Sequence, residues 1–144
     1  MRDKSMPDKY YPTKYKGYYV TLEGDIYREP AKKYERPDCK VNEDGLIEVR
    51  QSERGGNTVN GRYLSVNVSL KDERGKFLKQ IKCYTHRLIA ETLIDNPLSL
   101  SEVNHIDNNK QNNSVNNLEW VSRRDNHLLN PPLRVNGKWR KHEN

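Results

Sequence analysis

The sequence predicts an α+β fold in which small antiparallel β elements precede a compact segment of strands and helices. Hydrophobic residues recur at every second position of RYLSVNVSL (residues 62–70), which is the period of a half-buried strand. The spacing then becomes helical in THRLIAETLI (residues 85–94). Only 33% of the 144 residues are hydrophobic and the mean hydropathy is -1.13, so the core has to be thin. These three observations favour short strands and few helices.

The predicted β elements follow one another along the first half of the chain. GYYVTLEGDIY (residues 17–27) contains a strand, a turn at Glu23-Gly24-Asp25 and the start of a returning strand. VNEDGLIEV (residues 41–49) repeats this pattern around Asp44-Gly45. FLKQIKCY (residues 77–84) pairs with residues 62–70 as a hairpin that we expect to be half covered and half exposed.

The helix predicted at residues 85–94 has recognisable ends. Thr85 is a candidate N-cap, because its hydroxyl can accept a hydrogen bond from a backbone N–H of the first turn. Leu88, Ile89 and Leu93 form the apolar stripe that would face the core. Asn96-Pro97 is the predicted end of the helix, because proline cannot continue the backbone hydrogen-bond ladder.

Charge and cysteine usage limit the classes of function. The net charge is +6 and the sequence pI is about 9.3, which suits a protein that binds a polyanion, although a merely soluble basic protein would look the same. Cys39 and Cys83 form no CxxC pair and predict thiols in a reducing compartment. The sequence has no apolar run that could span a bilayer and no secretory signal, so we expect a cytoplasmic protein without a membrane partner.

One segment is unusually rich in asparagine. VNHIDNNKQNNSVNNLEWVSRRDN (residues 103–126) holds one histidine among eight asparagines, between an apolar start and LEW. We predict a strand over residues 102–105, a loop over 106–117, a strand over 118–122 and a helix over 123–129. Ser122 can cap that helix. This arrangement would bring His105 close to the first turn of the helix.

This segment resembles the ββα-metal motif of HNH endonucleases, in the subgroup typical of phage and intron-associated homing nucleases. The motif positions of that family fall on Asn104, His105, Asn117 and Asn126, and THRLIAETLI resembles the segment that commonly precedes the motif. The resemblance implies a ββα-metal (His-Me finger) nuclease module behind the β elements.

The same resemblance implies how the site would work. His105 would be the general base and Asn117 would hold the catalytic loop and the tautomer of His105. Asn104 and Asn126 would bind one divalent ion, Mg²⁺ or Mn²⁺, through their amide oxygens. Many relatives have Asp or His in place of Asn104, so Asp107 is a candidate substitute ligand. The sequence argues against zinc, because no fourth ligand accompanies Cys83, His86 and His105.

The expected partner is double-stranded DNA. The residues predicted to contact its phosphates are Arg123, Arg124, His86, Arg87 and Lys110. The expected activity is metal-dependent hydrolysis of DNA, by nicking or by cutting both strands, in a monomer or a homodimer. Two alternatives remain open at this point: a catalytically weak or inactive DNA-binding protein of the same ancestry, and a protein that binds or cleaves RNA.

These expectations divide the chain into four parts. Residues 1–16 would be a flexible arm, and residues 17–60 a small β module with a possible role in DNA binding. Residues 61–130 would be the nuclease domain, with its ββα-metal core at about 102–130. Residues 131–144 would be a basic tail.

Overall fold

The computed structural model describes residues 7–31, 39–57, 61–129, 133–135 and 138–140. Residues 1–6 of the predicted arm and much of the predicted tail lie outside these ranges. The helices are α1 (Thr85–Leu93) and α2 (Arg123–Leu129), with a 3₁₀ turn at Val115–Asn117. The strands are β1 (Tyr11–Pro12), β2 (Tyr18–Val20), β3 (Ile26–Arg28), β4 (Ile47–Glu48), β5 (Ser52–Asn57), β6 (Gly61–Lys71), β7 (Phe77–Tyr84), β8 (Glu102–His105), β9 (Leu118–Val121), β10 (Leu133–Val135) and β11 (Lys138–Arg140).

The described strands form small antiparallel sheets, as the sequence predicted. Their orders are β1-β2-β3-β4, β5-β6-β7, β8-β9 and β10-β11. Strands β5 and β6 pair with each other, although the predicted end of the β module, residue 60, falls between them in the sequence. Neither described helix has the length and apolar character needed to cross a membrane.

A shared hydrophobic core joins the first sheet to the later elements. Its buried members come from β2, β3, β6, α1, β8 and β9: Tyr18, Val20, Ile26, Val66, Val68, Leu88, Ile89, Ala90, Val103 and Leu118. Leu88 and Ile89 are 2% and 0% exposed, and full burial of such a side chain stabilises a fold by about 1.5–3 kcal/mol. Helix α1 is therefore held between the sheets and the β8–β9 hairpin.

The ends of α1 differ from the prediction. Thr85 is the first helical residue, not the N-cap: Tyr84 occupies the cap position with extended backbone (φ -70°, ψ 132°), and its side chain makes no capping hydrogen bond. Thr85 itself is fully buried, so its side chain serves tertiary packing and does not cap the helix. The helix ends at Leu93, because the backbone is extended at Ile94 (φ -117°, ψ 120°). Asn96 lies in the turn that follows and exchanges two hydrogen bonds of 2.9 Å with Leu100.

The segment from β8 to α2 closely follows the prediction. Strand β8 and helix α2 have the predicted bounds, and β9 ends at Val121, one residue early. The N–H of Asp125 donates to Ser122 Oγ at 2.9 Å, so Ser122 caps α2 as expected. The sheet, loop and helix that carry the predicted site are thus in place.

Candidate active site

His105 ends strand β8, opposite Leu118 of β9, and is 5% exposed. Its Nε2 lies 2.8 Å from Oδ1 of Asn113. Burial lowers the pKa of the imidazole below its usual 6.5, and the Lys110 charge adds to this effect. The Asn113 hydrogen bond and the Asp107 charge oppose it. The imidazole is neutral at neutral pH. With Asn113 Oδ1 as acceptor, Nε2 carries the proton and Nδ1 the lone pair.

Aromatic rings and one cation surround this imidazole. We call Tyr63, Tyr84, His86, His105 and Lys110 the imidazole cluster. The His86 ring stacks on Tyr63 at a centroid distance of 5.0 Å, and it also lies 5.0 Å from the His105 ring. The ammonium of Lys110, itself 6% exposed, lies 4.7 Å from the centroid of Tyr63. The cluster thus places a shielded positive charge near the base.

His86 is a packing residue in this cluster. It is 6% exposed, and burial lowers its pKa to about 3. The positive charges of Arg87 and Lys110 add to this effect, as does His105 when its ring is protonated. Its Nδ1 is buried without a hydrogen-bond partner among the described residues. A buried, neutral ring is poorly suited to the phosphate contact that the sequence predicted for His86, because such contacts need an accessible donor or charge.

The predicted arginine contacts occupy two different settings. Arg123 and Arg124 are exposed in the first turn of α2, where they can reach a phosphate backbone. Arg87 makes contacts within the protein: its Nη1 donates to the carbonyl of Ser101 at 2.9 Å, and its guanidinium lies 5.7 Å from the Trp120 ring centroid.

Asn117 ties the two ends of the asparagine loop (residues 106–117) together. Its Nδ2 donates to Asp107 Oδ1 and to the Asn112 carbonyl, both at 2.9 Å, and its carbonyl accepts the N–H of Ile106 at 2.8 Å. The Asp107 carboxylate also accepts from Asn112 Nδ2 at 2.9 Å. These bonds, with that of Asn112 as the largest cause, lower the pKa of Asp107. The carboxylate is thus engaged within the loop, which weighs against its service as a substitute metal ligand.

Asn104 and Asn126 contact carboxylates on the same face of β8. Asn104 Nδ2 donates to Glu119 Oε1 at 2.9 Å, and Asn126 Nδ2 donates to Glu102 Oε1 at 2.7 Å. We call these four residues the amide face. Consecutive strand residues alternate in direction, and His105, the last residue of β8, contacts Asn113 and His86.

The donor set of the amide face suits a hard cation. Two amide groups and two carboxylates offer oxygen atoms, which Mg²⁺ and Mn²⁺ prefer. Among the residues that the structure describes, no three His, Cys, Asp or Glu side chains are grouped closely enough to hold a metal ion by themselves. Any ion at this face would therefore depend on amide oxygens as well as carboxylates.

Sequence reasoning did not identify several residues of the site. The side-chain contact with the His105 ring comes from Asn113, which is not one of the motif positions. Tyr63 alternates with the hydrophobic positions of residues 62–70, yet it is 5% exposed because the rings of Tyr84 and His86 pack against it. Glu119 could have been found from strand register, since it lies directly opposite Asn104.

Comparisons with known proteins show which family this chain resembles. The family model described as HNH endonuclease matches residues 83–128. Two uncharacterized HNH endonucleases of Acanthamoeba polyphaga mimivirus are similar in sequence. The first is 38% identical over 109 residues, which are 76% of this chain and 26% of that protein. The second is 36% identical over 88 residues, which are 60% of this chain and 19% of that protein. The chain thus spans only a minor part of either relative.

A solved structure, described as DNA binding and cleavage by the HNH homing endonuclease I-HmuI, has a similar fold. The match has a TM-score of 0.50 and 22% sequence identity, and it covers 79% of this chain and 53% of that chain. At this identity the likeness concerns the fold. The sequence match and the geometry of β8, β9 and α2 agree: residues 83–128 are similar to the HNH endonuclease family, and the chain has the ββα-metal fold.

Proposed function

We propose that this chain is a metal-dependent endonuclease that hydrolyses phosphodiesters of double-stranded DNA. Its family supports a nuclease or DNA-binding role in general terms. The observation that carries the finer proposal is the end of β8. There His105, a buried and neutral imidazole, directly follows Asn104, whose amide face offers several oxygen atoms to a metal ion.

His105 is the general base in this proposal. Asn113 holds the ring through Nε2, so Nδ1 has the lone pair that can take a proton from the attacking water. A neutral ring is required for this step, and burial favours the neutral form. Asn117 acts indirectly, by holding the loop. Its Oδ1 accepts the N–H of Asp107 and its Nδ2 donates to the Asp107 carboxylate.

Asn104 and Asn126 are the proposed ligands of one Mg²⁺ or Mn²⁺. When bound, the ion supplies polarisation of the phosphate and charge for the departing 3′ oxygen. The NH₂ end of each amide is held by a carboxylate, which orients the amide oxygen away from that carboxylate. Hydrogen bonds from amide to carboxylate also polarise the amide, so Glu119 and Glu102 increase the negative character of the neutral ligands.

Basic residues supply the attraction for the DNA backbone. Arg123 and Arg124 are exposed at the start of α2, next to Asn126 on the same helix. Lys110 carries a charge inside the imidazole cluster and is as buried as His86, so it adds to the positive potential near His105 rather than offering an exposed phosphate contact. The net charge of +6 adds long-range attraction that depends on salt concentration.

A plasmid relaxation assay tests this function. Supercoiled plasmid incubated with the protein and Mg²⁺ or Mn²⁺ is expected to become open circular or linear, and EDTA is expected to prevent it. His105→Ala should abolish the conversion. Asn116→Ala, at an exposed position of the same loop, is the matched control and should cut like the parent.

Three results would separate this function from its alternatives. Plasmid that is retained in a gel but stays supercoiled with every divalent ion would favour a non-catalytic DNA-binding protein of HNH ancestry. Cleavage of a labelled RNA duplex in preference to the DNA duplex of the same sequence would favour an RNA substrate. Equal cutting by His105→Ala and the parent, with equal thermal midpoints, would contradict the role of His105.

A further inference from the structure

We propose that the β2–β3 turn of the upstream sheet, and Gly24 in particular, positions Asn113 and through it the imidazole of His105. Gly24 is then a positioning residue for catalysis, although it lies far from the HNH motif in sequence. The part of the inference that concerns catalysis rests on the proposed nuclease function. The part that concerns the imidazole can be tested without any cleavage.

Three contacts join the turn to the asparagine loop. The N–H of Val115 donates to the carbonyl of Leu22 at 2.8 Å. The hydroxyl of Ser114 donates to the carbonyl of Glu23 at 3.4 Å. At Gly24 the two backbones meet without room for a side chain: a Cβ built there would lie 2.7 Å from the carbonyl oxygen of Asn113. The turn therefore contacts three consecutive residues of the loop, ending beside the residue that holds His105.

The turn is itself held in a defined shape. The N–H of Gly24 donates to the Thr21 carbonyl at 3.2 Å, and the N–H of Asp25 donates to the Thr21 hydroxyl at 3.1 Å. From the side, Gln51 Nε2 donates to the carbonyl of Gly24 at 3.1 Å. Gly24 has φ +97°, which glycine adopts readily. A turn fixed at both ends can act as a stop against which the loop rests.

Asn113 transmits the position of this stop to the base. It is 3% exposed, and its Oδ1 lies 2.8 Å from His105 Nε2. Pressure on its backbone carbonyl would therefore shift or break that hydrogen bond. Catalytic geometry is sensitive to such shifts, since a misplacement of about 1 Å can lower a rate by about 10²-fold.

The experiment compares two glycine-to-alanine variants in neighbouring turns. Gly24→Ala adds a methyl group against the Asn113 backbone. Gly45→Ala imposes a similar backbone conformation on alanine, because Gly45 has φ +81°, but nothing lies within 4 Å of its added Cβ. The effect of Gly45→Ala measures the cost of a positive φ in alanine. Any larger effect of Gly24→Ala is then due to the contact of its methyl group with the Asn113 backbone.

The cleavage of a labelled DNA duplex is followed, and kcat and KM are measured for the two glycine variants. The same constants are measured for Asn113→Ala and for the double variant Gly24→Ala/Asn113→Ala. We expect Gly24→Ala to lower kcat about tenfold or more with KM within twofold, and Gly45→Ala to leave kcat within about twofold. In the Asn113→Ala background, Gly24→Ala should change kcat by less than about twofold, because both act on one hydrogen bond. Equal kcat values for Gly24→Ala and Gly45→Ala, or fully multiplicative effects in the double variant, would overturn the proposal.

The ring nitrogens of His105 provide a readout that needs no activity. In ¹⁵N NMR spectra at fixed pH, Gly24→Ala and Asn113→Ala should change the Nε2 and Nδ1 shifts of His105 in the same direction, with Gly45→Ala unchanged. If the parent cuts no substrate but the shifts behave in this way, the nuclease proposal fails and the positioning of the ring stands. Unchanged shifts in Gly24→Ala would overturn the positioning itself.

A second variant covers the case in which Gly24→Ala does not fold. Gln51→Ala removes the hydrogen bond that supports the turn from the side and leaves the turn residues intact. We expect a several-fold loss of kcat and the same direction of change in the His105 shifts. Gln80→Ala, at an exposed position of β7, is its control and should alter neither. Parent-like kcat and shifts in Gln51→Ala would count against the proposal.

Discussion

Replacement of His86 by phenylalanine tests the electrostatics of the imidazole cluster. The His86 ring is buried between Tyr63 and His105, close to the positive charges of Arg87 and Lys110, and its pKa is lowered to about 3. Protonation of this ring is therefore much easier in the unfolded chain than in the folded one. A phenylalanine keeps the stack on Tyr63 and removes the titration.

The size of the effect follows from linkage. With a pKa of 6.5 when unfolded and about 3 when folded, the unfolded state binds more protons between these values, so stability falls as the pH falls. The contribution is fully present above pH 6.5. At pH 5 the interval to the unfolded pKa is about 1.5 units, so the parent loses about 2 kcal/mol relative to pH 7.5 from this group alone.

Urea unfolding at pH 7.5 and pH 5.0 measures this loss. Carboxylates also titrate below pH 5, but their effect is shared by the parent and His86→Phe and cancels in the difference of the two pH dependences. Gln80→Phe, which adds the same ring at an exposed position of β7, is the control and should leave the pH dependence as in the parent. If His86→Phe loses as much stability between the two pH values as the parent, His86 is not a buried neutral ring and the reasoning is refuted.

Three further predictions concern the helix cap, the DNA contact and the ion. Ser122→Ala should lower the free energy of unfolding by about 1 kcal/mol through loss of the α2 cap, measured by urea titration; no loss would contradict the capping role. Arg123→Ala should reduce by about 1 the slope of log Kd against log salt for a DNA duplex; an unchanged slope would mean that no phosphate is contacted there. Glu119→Gln should weaken Mn²⁺ binding by about tenfold in calorimetry, with exposed Glu48→Gln as control; equal Mn²⁺ affinity in the two variants would mean that Glu119 has no part in binding the ion.

Local signals explain which elements the sequence predicted well. The bounds of β8 and α2 follow from residues close to each element: alternation before His105, and a serine that caps the helix from directly before it. The error at Thr85 has the opposite origin. A threonine before an apolar stripe looks like a cap, but here tertiary packing buries it, and burial overrode the local preference.

The composition of the site was predictable only in part. The motif positions came from the resemblance to HNH endonucleases, and the structure places Asn104 and Asn126 in hydrogen bonds with Glu119 and Glu102. The contact between Asn113 and His105 depends on how the loop rests on a turn near residue 24, which no pattern within the motif encodes. Contacts between segments distant in sequence require the packed core, and spacing cannot report them.

The shared core also bears on how much of the chain the HNH segment needs. The family match covers residues 83–128, yet Leu88 and Ile89 of that segment pack in one cluster with Tyr18, Val20 and Ile26 of the first sheet. Without those partners the apolar stripe of α1 would face water, which costs about 25 cal/mol for each Å² exposed. The loop would lose the turn at Gly24 at the same time. The physical unit that holds the candidate active site therefore begins well before the motif, and the upstream β elements belong to it whatever they contribute to DNA binding.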